Sequence, residues 1–366
     1  MMPVPFLLEI GCEEIPDWMI VSALEDLQTQ FTKLFIEQKL EGSVSWIDAT
    51  PRRLVLRADN LIERQPDSEE IAMGPPKSAG AGAAGGFAKK MGVTVADLST
   101  VSTPKGEYFS YTRKVAGRDT AAILAESIPG IVQKVYFPKT MYWTGKGGPR
   151  FIRPIRWIVA LFGNDVVPFE IAGVQSGNVT QGHRRLGAAC IPVTIDNYIE
   201  QLRQNAVIVK AEERRQRILD GIANLGVQVK ADAKLLETLT YITELPTPIL
   251  GGFDPQYLTL PSEVLVTVMR HHQKYFSCED SNGNLAPNFV AVMNSSGDPD
   301  GLVRLGNERV LRARFNDARF FYGVDQQKTL VDRVPDLGKV TFQAKLGSYL
   351  EKANRIVAAT EDDVVA

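Results

Sequence analysis

The opening of the chain constrains the fold most. Residues 4–10, VPFLLEI, form an apolar run ending at Gly11, which predicts a buried strand. After CEEIP, Asp17 is placed to cap a helix running to about Leu40, with Met19, Leu24, Leu27, Phe31, Leu34 and Phe35 recurring at helical spacing. VSWIDATPRRLVLRADNL then predicts two short strands about the turn Thr50-Pro51. A β-α-β-β opening of this kind places the chain in the α+β class.

The remaining residues are read in portions. At 366 residues the chain has room for two or three domains. Residues 64–86, rich in Pro, Gly, Ala, Ser and charge, read as a long loop. EYFSYTRKV alternates as an antiparallel strand does, and Asp119–Val135 reads as a helix that Pro129-Gly130 threatens to break. Strand-like WIVALFG and VVPFEI follow, then a helical stretch from Thr194 to Thr243. Pro261 is placed for the first turn of a helix ending near His271, followed by strands KYFSCE and NFVAVMN and then by helical sequence. The expected division is an α+β domain over 1–160, a second α+β domain over 161–298 and the start of a helical domain over 299–366.

AGAGAAGGFAKK holds Gly80, Gly82 and Gly85 at the spacing G-x-G-x-x-G of dinucleotide-binding loops. That fold requires a buried strand before the first glycine and a carboxylate at the end of the next strand. IAMGPPKSA has two prolines and no strand character, and Glu107 opens a strand instead of ending one. A loop entering a short basic helix explains the spacing better, with Lys77, Lys89 and Lys90 available to a polynucleotide phosphate.

Net charge is only −2, but it is unevenly spread. Residues 1–50 hold nine acidic side chains against Lys33 and Lys39, whereas residues 134–185 hold eight basic ones against Asp165 and Glu170. Within the basic segment, FPKTMYWTGKGGPRFIRPIRW supplies Lys139, Arg150, Arg153 and Arg156 beside Tyr142, Trp143 and Trp157. Arginine forks suit phosphate, and aromatic faces suit unpaired bases, so this pattern points to RNA. A solvated charged face with core aromatics is the plainer alternative. TQGHRRL brings His183, Arg184 and Arg185 together, and MRHHQKYF does the same for Arg270, His271, His272 and Lys274. Adjacent histidines on a strand point to opposite faces and chelate one metal poorly. In GNERVLRARFNDARFF, Glu308 and Arg312 are spaced to pair along a helix, worth about 0.3 kcal/mol. Cys12, Cys190 and Cys278 lie far apart and read as reduced thiols, so no metal is expected. No apolar run approaches the roughly 20 residues that span a bilayer, and the expected location is the cytoplasm.

LLEIGCEEIP, TPRRLVL, FPKTMYW, RFIRPIRWIVALFG, GHRRL, LPSEVLVTVMRHHQKYF, NFVAVMN and GNERVLRARFNDARFF, in this order, resemble the β subunit of the bacterial heterotetrameric glycyl-tRNA synthetase. The resemblance implies two α and two β chains that join glycine to tRNA(Gly) using ATP and magnesium. It places the catalytic site in the α subunit and gives the β chain the work of recognising and holding tRNA. No cofactor is then expected in this chain. It also implies a longer β chain continuing through an HD-like helical domain, so this sequence is expected to be an N-terminal portion. Residues 161–298 resemble the tRNA-interacting domain of the phenylalanyl-tRNA synthetase β subunit. The RNA-contacting set expected from charge and resemblance together is Lys139, Tyr142, Trp143, Arg150, Arg153, Arg156, His183, Arg184, Arg185, Arg270 and Lys274. A scaffold that docks the α subunit through the acidic N-terminal region is the alternative; a nucleotide-dependent enzyme acting alone is a third.

Overall fold

The computed structural model describes residues 3–362 apart from Lys146, one of the eight basic residues counted above, which lies outside the described residues. The chain opens with β1 (Val4–Cys12), α1 (Asp17–Glu37), β2 (Glu41–Thr50) and β3 (Arg53–Leu61), as the apolar pattern predicts. β4 (Ser68–Pro76), α2 (Gly80–Met91), β5 (Ser99–Thr103), β6 (Gly106–Val115) and α3 (Thr120–Lys134) follow. Next come β7 (Met141–Tyr142), β8 (Arg150–Phe151), β9 (Ile155–Phe162), β10 (Asp165–Val166), β11 (Glu170–Ile171), β12 (Val174–Gly177), β13 (Val179–Thr180) and β14 (Ile191–Pro192). The helices α4 (Tyr198–Gln204) and α5 (Ala211–Ala223) complete this part. The class is α+β, built on largely antiparallel sheets with one parallel pairing, β12 on β9.

The backbone divides into two compact units where three portions were expected. The first holds residues 1–217, 237–246 and 294–296. Its main sheet runs β11-β12-β9-β1-β3-β2, with β10 on β9, so strands on both sides of residue 160 share one sheet. β1 is central, pairing antiparallel with β3 and β9, and both of its faces are covered. Phe6, Leu8, Ile10 and Cys12 turn to one core with α1 and α3, while Leu7 turns to a second core with Trp157, Val159, Tyr198 and Leu202. Burial on both faces explains why VPFLLEI, Glu9 apart, is a continuous apolar run instead of an alternating one. The helix α1 buries the stripe Met19, Ala23, Leu27, Phe31 and Leu34. Pro16, not Asp17, holds its N-cap position, and the Asp17 carboxylate accepts a 2.8 Å hydrogen bond from the Thr238 hydroxyl. α3 continues through Pro129 without breaking.

The expected loop over 64–86 is corrected. β4 pairs along β6 from Ser68↔Val115 to Pro76↔Tyr108, and β5 pairs on the other edge of β6. The two prolines fall at the end of β4, where a ladder donor is dispensable. A Cβ on Gly74 would stand 2.7 Å from the Phe87 ring, so glycine there lets α2 pack onto the strand. Gly82 and Gly85 are helical residues of α2, and the strand before them is antiparallel, which rules out the parallel β-α-β unit of a dinucleotide fold.

The second unit holds 218–236, 247–293 and 297–366. Its elements are β15 (Gln228–Val229), the start of α6 (Ala233–Ile242), β16 (Pro246–Gly252), α7 (Ser262–Thr267), β17 (Phe276–Glu279), β18 (Leu285–Asn294), α8 (Leu302–Asp325), α9 (Leu330–Arg333), β19 (Thr341–Gln343), β20 (Gly347–Ser348) and α10 (Tyr349–Asp362). The sheet order is β15-β17-β18-β16, over a core in which Phe253 and Tyr257 pack on Phe315 of α8. Pro261 holds the N-cap position of α7. His271 and His272 stand on a π-helical turn, Val268–Gln273, instead of the expected strand. Glu308 pairs with Arg304 at 3.8 Å and accepts from the Gly252 amide at 3.0 Å, so the pairing with Arg312 predicted from spacing does not form. No helix among the described residues is long and apolar enough to cross a membrane.

Candidate nucleic-acid interface

On the second face of β1 the side chain after Leu7 is Glu9, and the register opposes it to Val55 and Val159. Gly11, next on that face, opposes Arg53 and Trp157. A Cβ on Gly11 would lie 1.9 Å from Trp157 Cε2, so glycine here lets the indole lie flat on the sheet. Trp157 Nε1 then donates to Glu9 Oε1 at 3.0 Å, and Arg52 and Arg53 stack their guanidinium groups over the indole at 5.3 and 5.4 Å. Arg53, fully buried, bridges Glu9 at 3.0 Å and Glu244 at 3.0 Å, and its Nη1 also donates to the Gln181 carbonyl at 3.0 Å. The Thr50 and Thr180 hydroxyls donate to Glu244 Oε1 and Glu9 Oε1 at 2.7 and 2.9 Å, while Glu9 Oε2 is buried without a partner among the described residues. Burial pushes the Glu244 carboxyl up, but the Arg53 charge, the Thr50 hydrogen bond and the Arg52 charge outweigh it and hold it below the usual range. This network fixes Thr180, Gln181 and Gly182 against the sheet, just before Arg184 and Arg185.

Sequence reasoning missed this network. Its one visible signal is Glu9, a lone carboxylate inside an apolar strand, which requires a buried cation. Arg214 was missed too: it is fully buried and donates to the carbonyls of Ala49, Ile208, Val209 and Thr240 at 2.6 to 2.8 Å. Burial pulls its pKa down to about 10 against the opposing pull of Asp48.

Beyond Cys12 the chain reaches the surface at Glu13 and Glu14, where several of the expected RNA-contacting residues meet. Arg156 Nε donates to Glu13 at 2.8 Å, and Arg184 pairs with Glu13 and, at 3.0 Å, with Glu14. Arg153 donates to the Glu14 carbonyl at 2.9 Å. Partial burial raises the Glu13 pKa, and the hydrogen bonds from Arg156 and Arg184 outweigh it, leaving it lowered. Arg156 and Arg184 are thus compensated within the chain, whereas Arg153 meets backbone carbonyls and makes no ion pair among the described residues. His183 is buried: its Nδ1 accepts from the Arg185 amide at 3.3 Å, and no face of the ring is open to RNA. Trp143 is half-buried and packs on the core beneath the sheet.

A second cluster is free of carboxylates. β7 and β8 form a two-stranded ribbon with Tyr142 opposite Arg150, and the Arg150 guanidinium covers the Tyr142 ring at 5.1 Å. Tyr142 is 45% exposed. Arg150 and, just before the ribbon, Lys139 are exposed and make no ion pair among the described residues. Arg185 is exposed and unpaired in the same sense. In the second unit, Arg270 grips Asp232 with Nε and Nη2, and Lys274, at φ 59°, donates to the His271 carbonyl at 3.4 Å.

A family model described as glycyl-tRNA synthetase beta subunit matches residues 6–362. A glycine–tRNA ligase beta subunit from Acidobacterium capsulatum is 43% identical over 367 residues, covering 95% of this chain and 52% of its own length. Those from Citrifermentans bemidjiense and Clostridioides difficile are 41% and 39% identical, covering 95% and 97% of this chain and 52% and 53% of their own. The chain therefore spans about half the length of these curated relatives. With a match along nearly the whole sequence, the chain belongs to the glycyl-tRNA synthetase beta subunit family.

Proposed function

We propose that this chain is a tRNA-holding, non-catalytic portion of a glycine–tRNA ligase, working beside an α subunit that carries out aminoacylation with ATP and magnesium. Two α and two β chains in the cytoplasm form the assembly in this reading, with 161–298 as tRNA-interacting sequence and 299–366 as the start of an HD-like region. The observation that carries it is the Tyr142–Arg150 ribbon: an exposed aromatic ring backed by an arginine, with no carboxylate on either. Such a pair offers stacking to an unpaired base and a fork to a phosphate. Lys139 and Arg185 add phosphate contacts. Arg153, Arg156 and Arg184 order the surface through Glu13 and Glu14.

The scaffold reading draws on α1, whose outer face exposes Trp18 and Ile36 among Glu25, Asp26 and Glu37. A gel shift with tRNA(Gly), with and without the α chain, separates the two. Retardation by this chain alone supports tRNA holding. Absence of a shift at low salt, with α-chain binding that Trp18→Glu abolishes, supports the scaffold.

A further inference from the structure

We propose that a cavity of about 200 Å³ in the second unit is a slot for one unpaired base of an RNA strand, a proposal that rests on the tRNA-holding reading. The cavity is lined by Lys230 and Asp232 before α6, by Arg270 on the π-helical turn and by Tyr275 and Ser277 entering β17. Arg270 is fixed by its two-pronged grip on Asp232, which leaves Nη1 without a protein acceptor among the described residues. The Tyr275 ring is held too, stacked on Phe289 at 4.7 Å and 16°.

Two features select the ligand. First, Tyr275 and Ser277 are only 7% and 6% exposed, yet neither hydroxyl has a hydrogen-bond partner among the described residues. Both residues line the cavity, so their hydroxyls are free to meet polar atoms of a guest. Burial pushes the Tyr275 hydroxyl up to about 12, so it stays a donor at ordinary pH. Second, the site is charge-balanced. Arg270 bears Asp232, and Lys230 stands 3.9 Å from Glu279, so the interior has no spare positive charge to recruit a free anion. A neutral, planar group with polar edges fits, between the aliphatic side chains of Leu235 and Val266. The volume lies below the roughly 300 to 1,000 Å³ of pockets for larger ligands, and so suits one ring system.

The test compares tRNA(Gly) binding by wild type, Tyr275→Phe with Ser277→Ala, and cavity-filling Val266→Phe, with circular dichroism to verify folding. The slot predicts a roughly tenfold loss of affinity for the hydroxyl variant, the scale of one or two hydrogen bonds, at unchanged salt slope. If wild type binds tRNA and the folded variants bind equally well, the slot is wrong and the tRNA-holding reading stands. If wild type binds no tRNA, that reading fails, and crystals soaked in the four nucleoside 5′-monophosphates decide the slot. Base density between Arg270 and Tyr275 supports it; an unoccupied cavity overturns it.

Discussion

Glu9 and Glu244 both lean on the Arg53 guanidinium, and none of the three side chains reaches water. Arg53→Met would leave two buried carboxylates short of their cation and should cost about 3 to 5 kcal/mol, read as a lower urea midpoint. Acid should act on the same group. The folded pKa of Glu244 lies below its unfolded value of about 4.3, so its stabilisation is complete above that value and is lost as pH falls through the folded one. The urea midpoint should therefore drop on acidification below about pH 4, and Glu244→Gln should remove that part of the drop. Gly11→Ala drives a methyl into the Trp157 ring and should destabilise by about 1 to 3 kcal/mol, with partial recovery in Gly11→Ala/Trp157→Leu. None of these roles was legible in the residues TPRRL, because a pair of arginines after a turn reads as surface. Only the depth of Glu9 in its strand hinted otherwise.

At the level of elements, legibility followed burial. β1, α1, β2, β3 and β18 carry strong apolar patterns and fold where those patterns place them. β4 was hidden because SEEIAMGPP has one large aliphatic side chain, Ile71, with Met73 and two prolines; what holds it is its pairing with β6, a partner some 40 residues away that no local pattern shows. α3 was legible except for its tolerance of Pro129, which lacks the amide that would donate to the Ala125 carbonyl. Pro129→Ala restores that donor and should raise stability by about 1 to 2 kcal/mol, seen as a higher melting temperature. If the melting temperature fell instead, the proline ring would be part of the packing against α1.

Across the whole molecule, the sequence shows an acidic N-terminal region and a basic central one. The fold brings part of each together, joining Glu13 and Glu14 to Arg156 and Arg184 inside the first unit. Charge counting alone could not show this, because the contact depends on β1 and β9 being neighbours. What remains open for RNA is a smaller set centred on Arg150 and Tyr142. The direct test is the salt dependence of tRNA(Gly) affinity for wild type, Arg150→Ala and Arg156→Ala. If the ribbon holds RNA, Arg150→Ala weakens binding and lowers the log–log salt slope by about one, while Arg156→Ala changes the slope little. Unchanged affinity and slope in Arg150→Ala would contradict the assignment of this surface to RNA.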